Sequence, residues 1–235
     1  ICGSLFGRYS PIFRSLPINL ACFLLLPLPA AQSQVPPVIK IGVLANRGQE
    51  ICYAEWNPTA EYLTHRLHPL RFEIVPLDFD EIKSKVVRRQ IDYVILNSSM
   101  YVSLEYHGLA NRIATFKIAS SQGPLPLFGG VILTRSDRND INQIEDLRGK
   151  RFAAVNQNSL GGWHAAFREM KDAGIDPHRH LAKLVFTGSH DAVVMKVLNR
   201  EVDAGTVRTS QLERMRNEKL ISLDDLKIIQ APLAP

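Results

Sequence analysis

The sequence predicts an α/β fold made of two similar lobes joined by a hinge. The first observation behind this is an internal repeat. Asp92 and Asp203 stand 111 positions apart, and that offset lays IVPLDFDEIKSKVVRRQIDYVILNSS (74–99) over VFTGSHDAVVMKVLNREVDAGTVRTS (185–210) without a gap. Identities fall at Asp80/Asp191, Lys85/Lys196, Val86/Val197, Arg89/Arg200, Asp92/Asp203 and Ser99/Ser210. The second observation is that each copy alternates strand and helix, the pattern of parallel sheets with right-handed crossovers. The third is a pair of apolar segments, LFGGVILTRSD (127–137) and LKIIQ (226–230), placed to cross between the copies and back.

In the first copy, Ile39–Leu44 reads as a strand. Asn57-Pro58 then reads as the opening of a helix to about Leu67, because proline at the first helical position loses no hydrogen bond. Phe72–Leu77 is a strand and Asp80–Arg89 a helix with Ile82, Val86 and Val87 inward. Tyr93–Leu96 is a continuous apolar strand of the doubly buried kind, and Ser98 or Ser99 caps a helix through His107. In the second copy, Phe152–Val155 is a strand and Gly162–Ala173 a helix closed by Gly174. Leu184–Phe186 is a strand, Ser189 caps His190–Asn199, Ala204–Val207 is a strand, and Thr209 or Ser210 caps a helix through Asn217. Asp92 and Asp203 precede their strands and read as structural turn formers.

Composition bounds the function. The chain of 235 residues is 46% hydrophobic and 22% charged, which suits a globular protein of one large domain or two lobes. A net charge of +5 with acids and bases interleaved (RSDRNDINQIEDLRGKR) leaves no basic stripe for a phosphate backbone, so nucleic acid is excluded as a partner. Residues 16–28 (LPINLACFLLLPL) form a short apolar core after Arg8 and Arg14 and before PAAQSQVPP, the layout of a secretory signal with a cut near Ala31-Gln32-Ser33. An uncleaved anchor is the alternative, though the run is short for a bilayer and carries prolines. Residues 1–33 are therefore assigned as signal peptide or membrane anchor, and the mature part as exported to the periplasm. Lobe I is expected over 38–127 with a returning segment 227–235, and lobe II over 128–226. The chain stops at APLAP, where further chain is expected to complete the first lobe, so the fold is read as truncated at its C-terminus. Any membrane attachment is expected only through the N-terminal segment or a missing C-terminal helix. Cys52 is left alone in the mature part, with burial as an apolar side chain its simplest role.

Ligands of open α/β sheets bind beyond the carboxyl ends of strands, where helix N-termini also point. Those positions carry Asn97, Ser98, Ser99 and Tyr101 in the first copy and Asn158, Ser159, His190, Arg208 and Thr209 in the second. Several helix N-termini with free N–H groups suit a small oxyanion without a metal. Arg208 adds a charge-assisted bond, Arg47 at the end of the first strand does the same, and Trp56 or Tyr101 forms an apolar wall. The bland alternatives are helix capping for the serines and threonines, an ion pair with Glu213 for Arg208, and a surface position for His190. No nucleophile elbow, phosphate loop or HExxH occurs, and the spacing of His164, His178, His180 and His190 is not diagnostic of a metal. No enzymatic activity, cofactor or metal is expected. FGGV and LGGW read as hinge and helix-entry glycines.

IGVLANRGQE…WNPTAEYL, PLDFDEI…IDYVILNSSMYVSLE, FGGVILTRSDR, DLRGKRFAAVNQNSLGG and VDAGTVRTSQLE together resemble the phosphate/phosphonate-binding family of periplasmic solute-binding proteins. The likeness is greatest to the input domains of tetrathionate-sensor-type histidine kinases, and it runs from about Ile39 to Gln230. It implies a two-lobed, type II (Venus-flytrap) periplasmic-binding-protein fold that closes on a small anionic ligand. It further implies a fused or partner kinase module, or an ABC permease. Asn97-Ser98 departs from the Asn-Pro usual in the family, which bears on the helix entry and on the ligand.

Overall fold

The computed structural model describes residues 36–116 and 128–230; the expected leader and residues 231–235 lie outside them. In the first half, β1 (Val38–Leu44) lies between β2 (Arg71–Leu77) and β3 (Tyr93–Ile95), all parallel, in the order β2-β1-β3. Helices α1 (Gln49–Arg66) and α2 (Glu81–Val87) are the crossovers, and α3 (Ser98–Tyr106) follows β3. In the second half, β4 (Gly130–Arg135) leads to β5 (Arg151–Ala154). A single π turn (Leu160–His164) then runs into α4 (Ala165–Asp172), followed by the short α5 (Pro177–His180). Then come β6 (Lys183–Phe186), α6 (His190–Leu198), β7 (Ala204–Arg208), α7 (Gln211–Asn217) and β8 (Leu226–Gln230). The second sheet has the order β6-β5-β7-β4-β8, and only β4 runs antiparallel to its neighbours β7 and β8. The two sheets are separate.

The second sheet is covered on both faces, as its apolar strands require. Alternation along the strands sends Ile132, Phe152, Ala154 and Ala204 toward Trp163, Ala166 and Met170 on one side. Val131, Leu133, Ala153 and Val207 go to the other side, into a cluster with Val193, Val194 and Val197 that also includes Leu44, Leu77, Ile82 and Met100 of the first half. A third cluster lies within the first half, where Ile41, Val43, Cys52, Ala60 and Ile74 pack with Trp56 and Leu63. Cys52 is buried there, and desolvation raises its thiol pKa.

The repeat is physical. β1 pairs with β3 at Ile41/Tyr93 and β5 with β7 at Phe152/Ala204, both shifted by the same 111 positions. The turn after each crossover helix is copied too. Arg89 and Arg200 both take a left-handed conformation, and Gln90 N–H donates to Lys85 as Glu201 N–H does to Lys196. One element breaks the gapless alignment. Lys40 faces Glu73, whereas Arg151 faces Lys183, so β6 is slipped by one residue relative to β2. A slip of one reverses which face each side chain of that strand takes.

Several expectations are corrected. The first long helix starts at Gln49 rather than Asn57, and Pro58 sits inside it. Both Pro58 and Ala54, whose carbonyl the proline leaves without its helical donor, are exposed, so water can satisfy that carbonyl. In the same way the helix read from Gly162 opens at Leu160 as the π turn. Val87 is 55% exposed, and Tyr93 is 48% exposed because β3 is an outer strand of the first sheet among the described residues. Asn97, not Ser98 or Ser99, caps α3 by accepting from Met100 N–H at 3.2 Å. Neither Thr209 nor Ser210 caps α7; Ser210 occupies the cap position with φ 71° and no side-chain cap bond. Residues 227–230, expected to return to the first lobe, form β8 at the edge of the second sheet.

Candidate functional site

The carboxyl ends of β3 and β7 hold Asn97 and Arg208, which the 111-residue offset makes equivalent. Each presents a donor. Asn97 Oδ1 is committed to Met100 N–H, which fixes the amide orientation, and among the described residues its buried Nδ2 finds no hydrogen-bond partner. Arg208 is largely buried. Its Nε donates to Gln211 Oε1 at 3.2 Å and its main-chain N–H to His190 Nδ1 at 3.2 Å. It makes no ion pair among the described residues; Glu213, the expected partner, instead faces Arg216 at 3.8 Å. Burial and then repulsion by Arg47 lower the Arg208 pKa, with Asp191 only partly opposing them. A buried guanidinium without a carboxylate in contact is costly unless an anion completes it.

His190 is 3% exposed, and desolvation followed by the nearby Arg208 and Arg47 pushes its pKa down to about 3. It is therefore neutral near neutral pH. Because Nδ1 accepts from Arg208 N–H, the ring proton sits on Nε2. The close approach of two glycine pairs fixes the backbone here. A Cβ on Gly161 would lie 2.5 Å from Gly129 O and 2.9 Å from Arg208 Cα, and one on Gly130 would lie 2.5 Å from Gly161 O. FGGV and LGGW are thus the two sides of one tight backbone contact.

Arg47 is not free for a ligand. Its side chain, 3% exposed, reaches from the loop after β1 to the second half. There Nε and Nη2 bond Asp191 at 3.0 and 2.7 Å, while Nη1 and Nη2 bond Glu218 at 2.8 and 2.6 Å. The hydrogen bonds from Arg47, then from Arg214, hold the Glu218 carboxyl down to about pKa 2. Arg214 extends the seam by pairing with Glu55 of α1. The acids between the halves, Asp191, Glu218 and Glu55, are therefore all engaged by arginines. Gln211, fully buried, links this cluster to the site, since its Nε2 donates to Asp191 Oδ1 at 2.5 Å while its Oε1 accepts from Arg208.

The remaining expected contacts are mostly structural. Ser159 is 3% exposed and caps the π turn by accepting from Gly162 N–H at 3.1 Å. Thr209 ties the end of β7 to the start of β4, its Oγ1 accepting from Gly129 N–H at 3.3 Å. Tyr101 turns its hydroxyl to Glu105. Trp56 is half-buried and packs edge-on to Phe116, with ring centroids 5.2 Å apart. Ser98 and Asn158 are exposed and Ser99 half-buried. His178 packs against Trp163, and His180 Nδ1 lies 2.9 Å from Arg148 Nη1; among the described residues no group of three His, Cys, Asp or Glu side chains could hold a metal ion. Sequence reasoning missed Gln211, Asp191, Glu218, Arg214 and Glu55 as members of the site's surroundings. Asp191 alone carried a signal, as a repeat identity in the first turn of a helix.

Two α/β halves on separate sheets, with donors at the ends of equivalent strands, define a two-lobed ligand-binding protein of the type II periplasmic class. The fold matches a binding protein component of an ABC phosphonate transporter from Pseudomonas aeruginosa, with a TM-score of 0.69 and 19% identity over 85% of this chain and 67% of that one. It also matches PhnD1 from Prochlorococcus marinus (MIT 9301), solved with methylphosphonate, with a TM-score of 0.70 and 19% identity over 85% and 74%. Residues 41–231 match the family of periplasmic substrate-binding proteins of ABC phosphonate transporters, and the chain belongs to that family. Among curated proteins it is 32% identical to the tetrathionate sensor histidine kinase TtrS of Salmonella typhimurium over 188 residues, 79% of this chain but 31% of that protein. It is 20% identical to the phosphate-import protein PhnD of Mycolicibacterium smegmatis over 198 residues, 82% of this chain and 60% of that one. The chain thus spans less than two thirds of either relative. The family is periplasmic, and no helix among the described residues is long and apolar enough to cross a membrane.

Proposed function

We propose that this chain binds a small oxyanion outside the cytoplasm by closing its two lobes on Arg208 and Asn97, and that it serves as the sensory input domain of a two-component histidine kinase. The observation that carries the reading is a pair of donors at equivalent strand ends: among the described residues, a largely buried guanidinium that pairs with no carboxylate and a buried amide N–H without an acceptor. His190, whose Nδ1 receives the Arg208 N–H, presents Nε2–H as a further neutral donor. Ligand contacts made by both lobes exist only in the closed form, so binding favours closure by that difference in affinity. The domain supplies no chemistry of its own to the ligand. Identity to a tetrathionate sensor kinase supports the sensory role. A second reading, the substrate-binding protein of a phosphonate- or phosphate-type ABC transporter, is supported by the family and by PhnD.

The test is thermal unfolding with sulfate, thiosulfate, tetrathionate, phosphate and methylphosphonate. A specific ligand at a hundred times its Kd adds about 2.7 kcal/mol of stability. Arg208→Ala removes that response if the site is right, and an undiminished response overturns the assignment. Ligand-dependent autophosphorylation of the full-length gene product supports the sensor; ligand uptake that depends on this protein and a permease supports the transporter.

A further inference from the structure

We propose that Gln211 is the positioning residue of the anion site: it aims the Arg208 guanidinium without neutralising it and ties that guanidinium to the charge cluster between the lobes. The proposal rests on the oxyanion reading above.

Gln211 is fully buried at the first position of α7, and both ends of its amide are committed. Oε1 accepts from Arg208 Nε and Nε2 donates to Asp191 Oδ1, so each neighbour dictates the orientation and the amide cannot be turned over. Asp191 in turn accepts from Nε and Nη2 of Arg47, which reaches across from the first half. Arg208, Gln211, Asp191, Arg47 and Glu218 form one continuous hydrogen-bonded chain.

The choice of an amide has a chemical consequence. A carboxylate here would pair with Arg208 and fill the place an anion needs. An apolar residue would leave Arg208 Nε without this acceptor and Asp191 Oδ1 with Arg47 Nε alone. Glutamine satisfies both and adds no charge. Among the described residues Arg208 Nη1 and Nη2 then remain for the ligand, while Nε and the main chain are held by Gln211 and His190. Any shift of the guanidinium on binding also pulls on Asp191, and hence on the bond between the lobes.

Gln211→Glu tests this because its protonated form mimics glutamine, with the acid proton donated to Asp191 and the carbonyl oxygen accepting from Arg208. The groups around this position are Arg208 on β7, Asp191 and His190 on α6, Arg47 on the loop after β1, and Glu218 and Arg214 near the end of α7. Two carboxyl groups in contact hold a proton between them to higher pH, so the variant is expected to bind in acid and fail in base. The probes are sulfate and thiosulfate, whose charges are constant over the range, titrated calorimetrically at about pH 5 and about pH 8. Wild-type affinity is expected to be level. Q211E is expected to be about tenfold weaker or more at the higher pH and to approach wild type at the lower one.

Equal binding by Q211E and wild type at both pH values overturns the proposal, as does a loss of equal size at both. A wild type that takes up neither these anions nor phosphate, methylphosphonate or tetrathionate overturns the oxyanion reading itself. Should Q211E fail to fold, NMR on the wild type decides: the Gln211 side-chain amide resonance is expected to shift on addition of thiosulfate, and a bound state with that resonance unmoved overturns the proposal.

Discussion

Asp203 grips Arg151 by two main-chain bonds: its N–H donates to Arg151 O at 2.9 Å and its carboxylate accepts from Arg151 N–H at 2.8 Å. Asp92 does the same to Lys40, at 2.9 and 2.8 Å. One aspartate thus locks the strand it precedes to the first strand of its copy, β3 to β1 and β7 to β5, which explains why both copies keep it.

The two locks are not of equal weight. The Asp203 side chain is 15% exposed and also bonds Arg138 at 2.6 Å, whereas Asp92 is exposed. Asp203→Ala is expected to lower unfolding stability by about 3 kcal/mol and Asp92→Ala by about 1 kcal/mol, read from urea denaturation midpoints. Equal losses would mean that the arginines around Asp203 contribute nothing.

Asn97 combines two roles that one substitution separates. Asn97→Asp keeps the oxygen that caps α3 and adds a negative charge where a helix N-terminus tolerates it, but it removes the Nδ2 donor. Stability is expected to change by less than about 0.5 kcal/mol while anion affinity falls about tenfold or more, measured by thermal unfolding and titration of the same sample. Unchanged affinity would remove Asn97 from the site.

Arg47→Ala leaves Asp191 and Glu218 facing each other without their shared cation. The expected loss is about 2 kcal/mol, discounted for the partial exposure of both acids. Arg47→Lys is expected to recover less than half, because an ammonium cannot engage two carboxylates in the forked geometry. Small-angle scattering is expected to show a larger radius of gyration for the alanine variant, since this arginine joins the two halves.

Acid should weaken the fold through His190. Its folded pKa, about 3, lies below the ordinary 6.5, so between those values the unfolded chain binds a proton that the native state refuses. Stability therefore rises with pH across that window, and the His190 contribution is lost as pH falls, at about 1.4 kcal/mol per pH unit. Glu218, lowered to about 2, acts in the same direction below its ordinary value of 4.5. His190→Gln is expected to flatten the slope between about pH 6 and about pH 4 by nearly one proton.

Much of the fold was legible because the repeat and the strand–helix alternation are written in local sequence. The misplaced helix starts also obey the repeat in the structure: α1 begins at Gln49 and the π turn at Leu160, again 111 positions apart. Asn57-Pro58 points to a later start for α1, since proline more often opens a helix than continues one. The slip of β6 was not legible, because it arises in strand pairing rather than in the residues themselves. For the candidate site, position at a strand end singled out Asn97 and Arg208, and the structure joins Arg208 to His190 by a hydrogen bond. Such reasoning could not tell which side chains would satisfy one another. Arg47 was expected to face a ligand and faces two carboxylates, and Ser159 and Thr209 spend their oxygens on backbone N–H groups. Gln211 left no trace in the sequence, because an uncharged residue after a left-handed serine has no distinctive pattern.

The repeat copies a scaffold but not its polarity. At matched strand ends one half carries a full positive charge and the other a neutral amide. In the proposed site, long-range attraction would thus belong to the half bearing Arg208, where an incoming anion docks first. The half bearing Asn97 would arrive afterwards as a short-range lid. Raising ionic strength should then slow capture far more than it hastens escape.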